Sequence, residues 1–192
     1  MENFTTQDLI TQLQEGSLDA LGELYDHHNR LVYRTALAIL GDVEAAADML
    51  QEVFLRLFRF ADRIDPLRPI EPWLYRVTAN LSYTWVKRRR WQQSLEDITE
   101  WISGDGYQHP DQTAERDEEW QEIEKAIQSL TLNQRTVIIL YYINDCSLEE
   151  ISKILEVPIG TVKSRLHYGR RTLKKKLDRR SGVMVEVQYE FT

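Results

Sequence analysis

Apolar residues recur at three- and four-residue steps along most of this chain, the repeat of helices that bury one side. A short helical start, TTQDLITQLQEG, ends near Gly16. Ser17 is placed to cap a long helix to about Leu40, with Leu21, Leu24, Tyr25, His28, Leu31 and Val32 as its apolar stripe. Gly41-Asp42 breaks and restarts the chain, and Ala46, Leu50, Val53, Phe54, Leu57 and Phe58 give the next helix its spacing. A loop with three prolines, DPLRPIEP, follows. Its Pro72 suits the first turn of a further helix, where no amide is needed, and that helix runs from Trp73 to about Trp91. Helices resume at about 115–129, 132–143, 147–156 and 161–178. Strict alternation first appears in the tail, where Val183, Val185, Val187, Tyr189 and Phe191 share one side of a strand pattern.

The predicted fold is therefore all-α. An N-terminal helical bundle (1–91) and a helix-turn-helix domain (115–181) are joined by an acidic flexible linker (92–114, with SGDGYQHPD), and a strand-like tail (182–192) follows. The linker reads as a solvated tether or as a segment occupying a nucleic-acid path.

Two segments carry the candidate chemistry. On the helix 73–91, Leu74, Val77, Leu81 and Trp85 share one side, while Arg76, Asn80, Tyr83 and Lys87 share another. Thr84 lies beside the second set, and Arg88, Arg89 and Arg90 extend it. An amide can bond a base edge, a phenol can stack on a base and cations can hold phosphates, which are the needs of single-strand binding. The same pattern also fits a solvated face with a basic helix end.

At 147–177, Ser147 and Glu150 form a capping-box pattern, with Leu148, Ile151, Ile154 and Leu155 as the apolar side. Pro158 and Gly160 in VPIG mark a sharp reversal, and Thr161 is placed to cap the second helix. Val162, Leu166, Gly169, Leu173 and Leu177 make a narrow inward stripe. Lys163, His167, Arg170 and Lys174 point the other way, flanked by Ser164, Tyr168, Arg171 and Lys175. A short helix, a tight turn and a second helix with exposed donors describe a major-groove reader.

Charge sharpens this picture. The chain has net charge −7, yet residues 129–180 hold 11 Lys/Arg against 5 Asp/Glu, whereas residues 92–128 hold 2 against 11. A basic module behind an acidic connector suggests a phosphate-backbone contact. Hydrophobic content of 42% supports packed cores. Cys146 is the one cysteine, which excludes an internal disulfide and suits a reducing compartment. No apolar run approaches the ~18 residues of a membrane span, and MENFTTQDL lacks the layout of a secretion signal. The expectation is a cytoplasmic protein without membrane insertion.

These segments resemble a known family. KILEVPIGTVKSRLHYGRRTL is similar to the fourth conserved region of extracytoplasmic-function sigma factors, the small specificity subunits of bacterial RNA polymerase. ADMLQEVFLRLFRF resembles their polymerase-binding helix and PWLYRVTANLSYTWVKRRR their promoter-melting helix, both within region 2. The resemblance covers most of residues 17–178 in the family's order.

It implies three sites. Asp48, Gln51, Glu52, Phe54 and Leu55 would bind core RNA polymerase, although the spacing of Leu50 and Val53 marks those two as core. Arg76, Asn80, Tyr83, Thr84 and Lys87, Arg88, Arg89 and Arg90 would take the −10 strand of promoter DNA, with a flipped base near Asn80. Lys163, Ser164, Arg165, His167, Tyr168 and Arg171 would meet the −35 element. The chain departs from the family at Ala79, where a basic residue is common, and at Thr84, where an acid is. It also has Tyr168-Gly169-Arg170 where Arg-Ala-Arg is frequent; Gly169 would allow a neighbouring helix to come close.

The tail pattern fits either an unstructured end or a strand added to a sheet edge of an inhibitory, anti-sigma partner. His27 and His28 point to different helix sides, and His109 and His167 lie far off, so no metal set emerges. With no phosphate loop and no nucleophile elbow, neither a cofactor nor an enzymatic role is expected. The rival readings are a helix-turn-helix regulator without the sigma role and a sigma-like adaptor.

Overall fold

The structure is a computed structural model that describes residues 4–103 and 118–181, and among them every regular element is helical. The chain divides into two units, Met1–Glu115 and Arg116–Thr192.

In the first unit, α1 (Thr6–Gln14) starts at Thr5, whose hydroxyl accepts from Asp8 N while the Asp8 carboxylate accepts from Thr5 N. Helix α2 (Leu18–Leu40) is capped by the Ser17 hydroxyl and ends at Gly41, in the left-handed region at φ 69°. That conformation crowds a Cβ, so glycine suits it. The next residue, Asp42, begins α3 (Val43–Arg59) by accepting from Ala45 N at 2.9 Å. One Gly-Asp step thus turns the chain between two long helices. A 3-10 turn at Ala61–Arg63 leads through the proline loop to α4 (Glu71–Ser103), with Pro72 in its first turn.

Leu9, Ile10, Leu24, Val32, Ile39, Val53, Leu57, Ile70 and Leu74 are fully or almost fully buried and form the centre of this bundle. Phe58 was expected on the core stripe but is 43% exposed. It lies past the side that Val53 and Leu57 occupy. Tyr25 sits at the edge, with its ring 4.9 Å from that of Phe54.

Helix α4 continues to Ser103, twelve residues past the boundary expected at Trp91. The reason is compositional. Residues 92–103 contain neither Gly nor Pro, and the first breaker is Gly104. Acidity marked the stretch as linker, but acidity does not stop a helix.

In the second unit, α5 (Glu118–Gln128) is joined to α6 (Leu132–Tyr142) by a turn that Arg135 clamps, its guanidinium donating to Gln128 O and Leu130 O. Thr131 and Gln134 cap α6 reciprocally. Ser147 and Glu150 do the same for α7 (Leu148–Leu155), as the pattern predicts. Buried residues include Leu130, Val137, Ile138, Ile139, Leu140, Ile151, Ile154, Val162 and Leu166.

The reversal into α8 (Ile159–Ser181) differs from expectation. Glu156, not Gly160, takes the left-handed conformation, at φ 52°, and the Ser152 hydroxyl donates to Val157 O at 2.6 Å. Pro158 then opens α8, its carbonyl accepting from Thr161 N and Val162 N. Thr161 therefore lies inside the first turn and is no cap. The fixed φ of proline already suits a helix start. The strand expected in the tail lies outside the described residues. None of the described helices is long and apolar enough to cross a membrane.

Candidate nucleic-acid interface

Helix α4 turns a broad side inward. Leu74, Tyr75, Thr78, Ala79, Leu81 and Ser82 are all buried, and the Thr78 hydroxyl donates back to Leu74 O at 2.8 Å. Val77, Trp85 and Val86 pack partly buried against the same core. The opposite side carries the predicted polar set. Asn80, Thr84, Lys87 and Arg88 are exposed, while Arg76 and Tyr83 are half-buried. Thr84 donates its hydroxyl to Asn80 O at 2.9 Å, so its hydrogen is already used. The Tyr83 hydroxyl is buried and has no hydrogen-bond partner within the chain. The Arg90 side chain lies outside the described residues.

Arg89 departs from the set. Its Nη1 donates to Asp42 Oδ2 at 2.8 Å, and its guanidinium carbon lies 4.8 Å from the centre of the Trp85 ring. The signal was in the sequence: Arg89 is four residues beyond Trp85, which is itself on the buried side.

Helix α8 is held by a narrower seam. Val162, Leu166 and Gly169 are buried, with Leu173 and Leu177 half-buried. A Cβ on Gly169 would stand 3.0 Å from Ile138 Cγ1, so the close helix approach expected at this glycine is present. Lys163, Ser164, His167, Tyr168 and Arg171 are exposed and Arg165 is half-buried. The His167 and Tyr168 rings lie 5.4 Å apart. Lys174 is exposed, but Arg170, expected in the same outward row, folds back. Its guanidinium lies 5.2 Å from the Tyr141 ring and 5.3 Å from the Tyr142 ring, and its Nε is buried. The sequence pattern missed this contact because nothing along α8 announces the tyrosine pair that ends α6.

On α3, Asp48, Gln51 and Leu55 are exposed, and Glu52 is half-buried and paired with Arg56 at 2.8 Å. Phe54 is 5% exposed, which corrects its reading as a surface contact. It stands one and three residues from the buried Val53 and Leu57, on the core side. Phe58, three residues from Leu55, extends the exposed apolar ridge instead.

The remaining reactive groups are quiet. Burial, with the charges of Glu150 and Asp145, pushes the Cys146 thiol up to about 11, so it stays protonated at neutral pH. No group of three or more His, Cys, Asp or Glu suited to a metal occurs among the described residues. The arrangement therefore offers surfaces: a polar and cationic face on α4, a cationic helix in α8 and an acidic and apolar ridge on α3.

Comparison with known proteins fits those surfaces. The family model for Sigma-70 region 2 matches residues 24–92, and that for Sigma-70, region 4 matches residues 120–173. The ECF RNA polymerase sigma factor SigW of Bacillus subtilis is 34% identical, over 88% of this chain and 94% of its own length. The ECF RNA polymerase sigma factor SigE of Mycolicibacterium smegmatis is 32% identical, over 94% of this chain and 76% of its own. Among solved structures, CnrH in complex with the cytosolic domain of CnrY superposes with a TM-score of 0.66 at 22% identity, covering 92% of this chain and 99% of that one. The sigma factor RpoE of Bartonella quintana, in complex with the anti-sigma factor NepR, gives 0.65 at 22% identity, covering 83% and 98%. At that identity the likeness is one of fold.

Proposed function

This chain belongs to the extracytoplasmic-function (ECF) sigma factors of RNA polymerase, and from that membership we propose that it brings core polymerase to selected promoters and helps to open them. The observation that carries the proposal is the presence of both sigma regions, in order, on one chain. A simple helix-turn-helix regulator needs only the second.

In this reading the α3 ridge docks on core polymerase through Asp48, Gln51, Glu52 and Leu55, with Phe58 added and Phe54 supporting it from beneath. The exposed side of α4 takes the −10 strand. Flipping a base costs a few kcal/mol, offset by stacking at about 1–3 kcal/mol per base and by edge hydrogen bonds. In this reading Asn80 takes the base edge and Tyr83 the ring contact. Arg76, Thr84, Lys87, Arg88 and Arg90 line the strand. Helix α8 enters the major groove at −35, where Lys163, Arg165 and Arg171 meet phosphate or guanine and Ser164, His167 and Tyr168 pack around them.

The chain acts as a regulator in the cytoplasm and leaves phosphodiester chemistry to polymerase. Both solved relatives are complexes with a second protein, one of them an anti-sigma factor, and we extend that mode of control to this chain. Run-off transcription with core polymerase tests the proposal. A sigma factor yields transcripts that core alone does not. A regulator of the other kind binds promoter DNA but yields none, and an adaptor does neither.

A further inference from the structure

Lys87, Arg88, Arg89 and Arg90 form an unbroken cationic run, yet the first three side chains do not share one fate. Lys87 and Arg88 are exposed, whereas Arg89 turns to the bundle. Its ion pair with Asp42 spans 47 residues of sequence, with the two side chains 39% and 31% exposed. Both oxygens of that carboxylate are engaged, Oδ1 by Ala45 N at 2.9 Å and Oδ2 by Arg89 Nη1 at 2.8 Å. One carboxylate therefore caps α3 and tethers α4. The Trp85 ring closes the other side of the guanidinium. Partial burial pushes the Asp42 pKa up, but the hydrogen bonds from Ala45 and Arg89, the Arg89 charge and the Glu44 amide outweigh it, and the net direction is down. The carboxylate is thus held ionised for its partner.

We infer that Arg89 is withheld from DNA: its contacts with Asp42 and Trp85 tie α4 to the cap of α3, and the outward course of Lys87 and Arg88 does not depend on it. This rests on the reading of the α4 face as a single-strand site. Arg89 would have to leave a carboxylate and an indole to reach a phosphate, while its neighbours are already in water. The run contributes its charge to the strand without this member.

The test uses the full chain, fluorescent oligo-dT as probe and affinity measured across a salt series. Each phosphate contact to a single strand contributes about 0.7 to the slope of log K against log salt. Arg88→Gln is expected to lower the slope by about 0.7, and Arg89→Gln to leave it unchanged. Asp42→Asn keeps a good helix cap but releases Arg89. It should steepen the slope by up to about 0.7, and the double variant Asp42→Asn/Arg89→Gln should return it to that of the parent. Amide exchange at residues 86–89 should quicken to the same degree in both single variants, with thermal melts confirming that each is folded. A slope lost in Arg89→Gln as in Arg88→Gln overturns the inference and leaves the α4 face standing. An unchanged slope in Asp42→Asn overturns it too. Slopes that ignore Lys87→Gln and Arg88→Gln as well would remove the α4 face itself, and the inference with it.

Discussion

Helices α4 and α8 are both cationic, but they are anchored in opposite ways. Six positions between Leu74 and Ser82 bury α4, and that side includes the side chains of Thr78 and Ser82. Three positions, Val162, Leu166 and Gly169, bury α8. A helix sunk that deeply can offer one face, suited to a strand or a splayed base laid across it. A helix held along a thin seam offers most of its circumference, suited to insertion between two walls of a groove. Each unit also folds one arginine inward onto aromatic rings, Arg89 on Trp85 and Arg170 on Tyr141 and Tyr142. Sequence charge thus overstates the cations available in both.

The contrast can be broken most forcefully in the cores. Leu74→Ala is expected to cost about 2–5 kcal/mol, because a fully buried leucine leaves both lost contacts and a cavity. Chemical denaturation should show that loss in the first unit and leave a fluorescence or hydrogen-exchange probe on α6 unmoved. The interfaces come next. Arg165→Ala should lower affinity for −35 duplex by about 1–3 kcal/mol if it reads a base, measured by fluorescence anisotropy with polymerase present.

A smaller effect tests the seam of α8. Gly169→Ala gains helix propensity of up to ~1 kcal/mol. The new methyl meets Ile138 Cγ1 at 3.0 Å in a packed interior, where overpacking costs about 1–3 kcal/mol. The melting temperature should therefore fall despite the better helix former.

The smallest effect is in pH. Burial lowers the His28 pKa, with Glu71 raising it and His27 lowering it, and the residue is 8% exposed. The unfolded chain takes up a proton near pH 6.5 while the folded chain resists, so stability is complete above that value and falls as pH drops through it. Asp42, held below 3.8, adds a second loss in stronger acid. In the second unit Glu150 is likewise held below 4.5, chiefly by the backbone bond at Ser147 and then by the Ser147 hydroxyl. Between pH 7 and 5, denaturation midpoints should drop for the first unit, and His28→Gln should remove part of that drop.

Most helix positions and caps, and the two-unit organisation, were legible because local chemistry sets them, the end of α4 and the cap expected at Thr161 being the exceptions. Ser17, Asp42, Ser147 and Gly41 act through neighbours a few residues away. The close approach at Gly169 was legible too, since a missing side chain lets a neighbouring helix come nearer than usual. What escaped depended on distant partners or on competition between signals. Phe54 carried two signals, the apolar spacing of α3 and a place in the resembled polymerase-binding set, and its burial follows the spacing. Arg89 and Arg170 looked like neighbours of exposed cations, but Asp42 and the Tyr141–Tyr142 pair, remote in sequence, drew them back. Gly160 looked like the turn residue, but Glu156 took the left-handed position while Pro158 started the helix.

On this reading α4 and α8 perform different parts of one task on one promoter. Permanganate footprinting of polymerase bound with this chain, read beside filter retention of the same complexes, separates the parts. Asn80→Ala is expected to keep promoter occupancy but lose reactive −10 thymines, whereas Arg165→Ala loses occupancy first. Equal loss of occupancy in both variants, or full opening with Asn80→Ala, would show that the two helices do not divide the task.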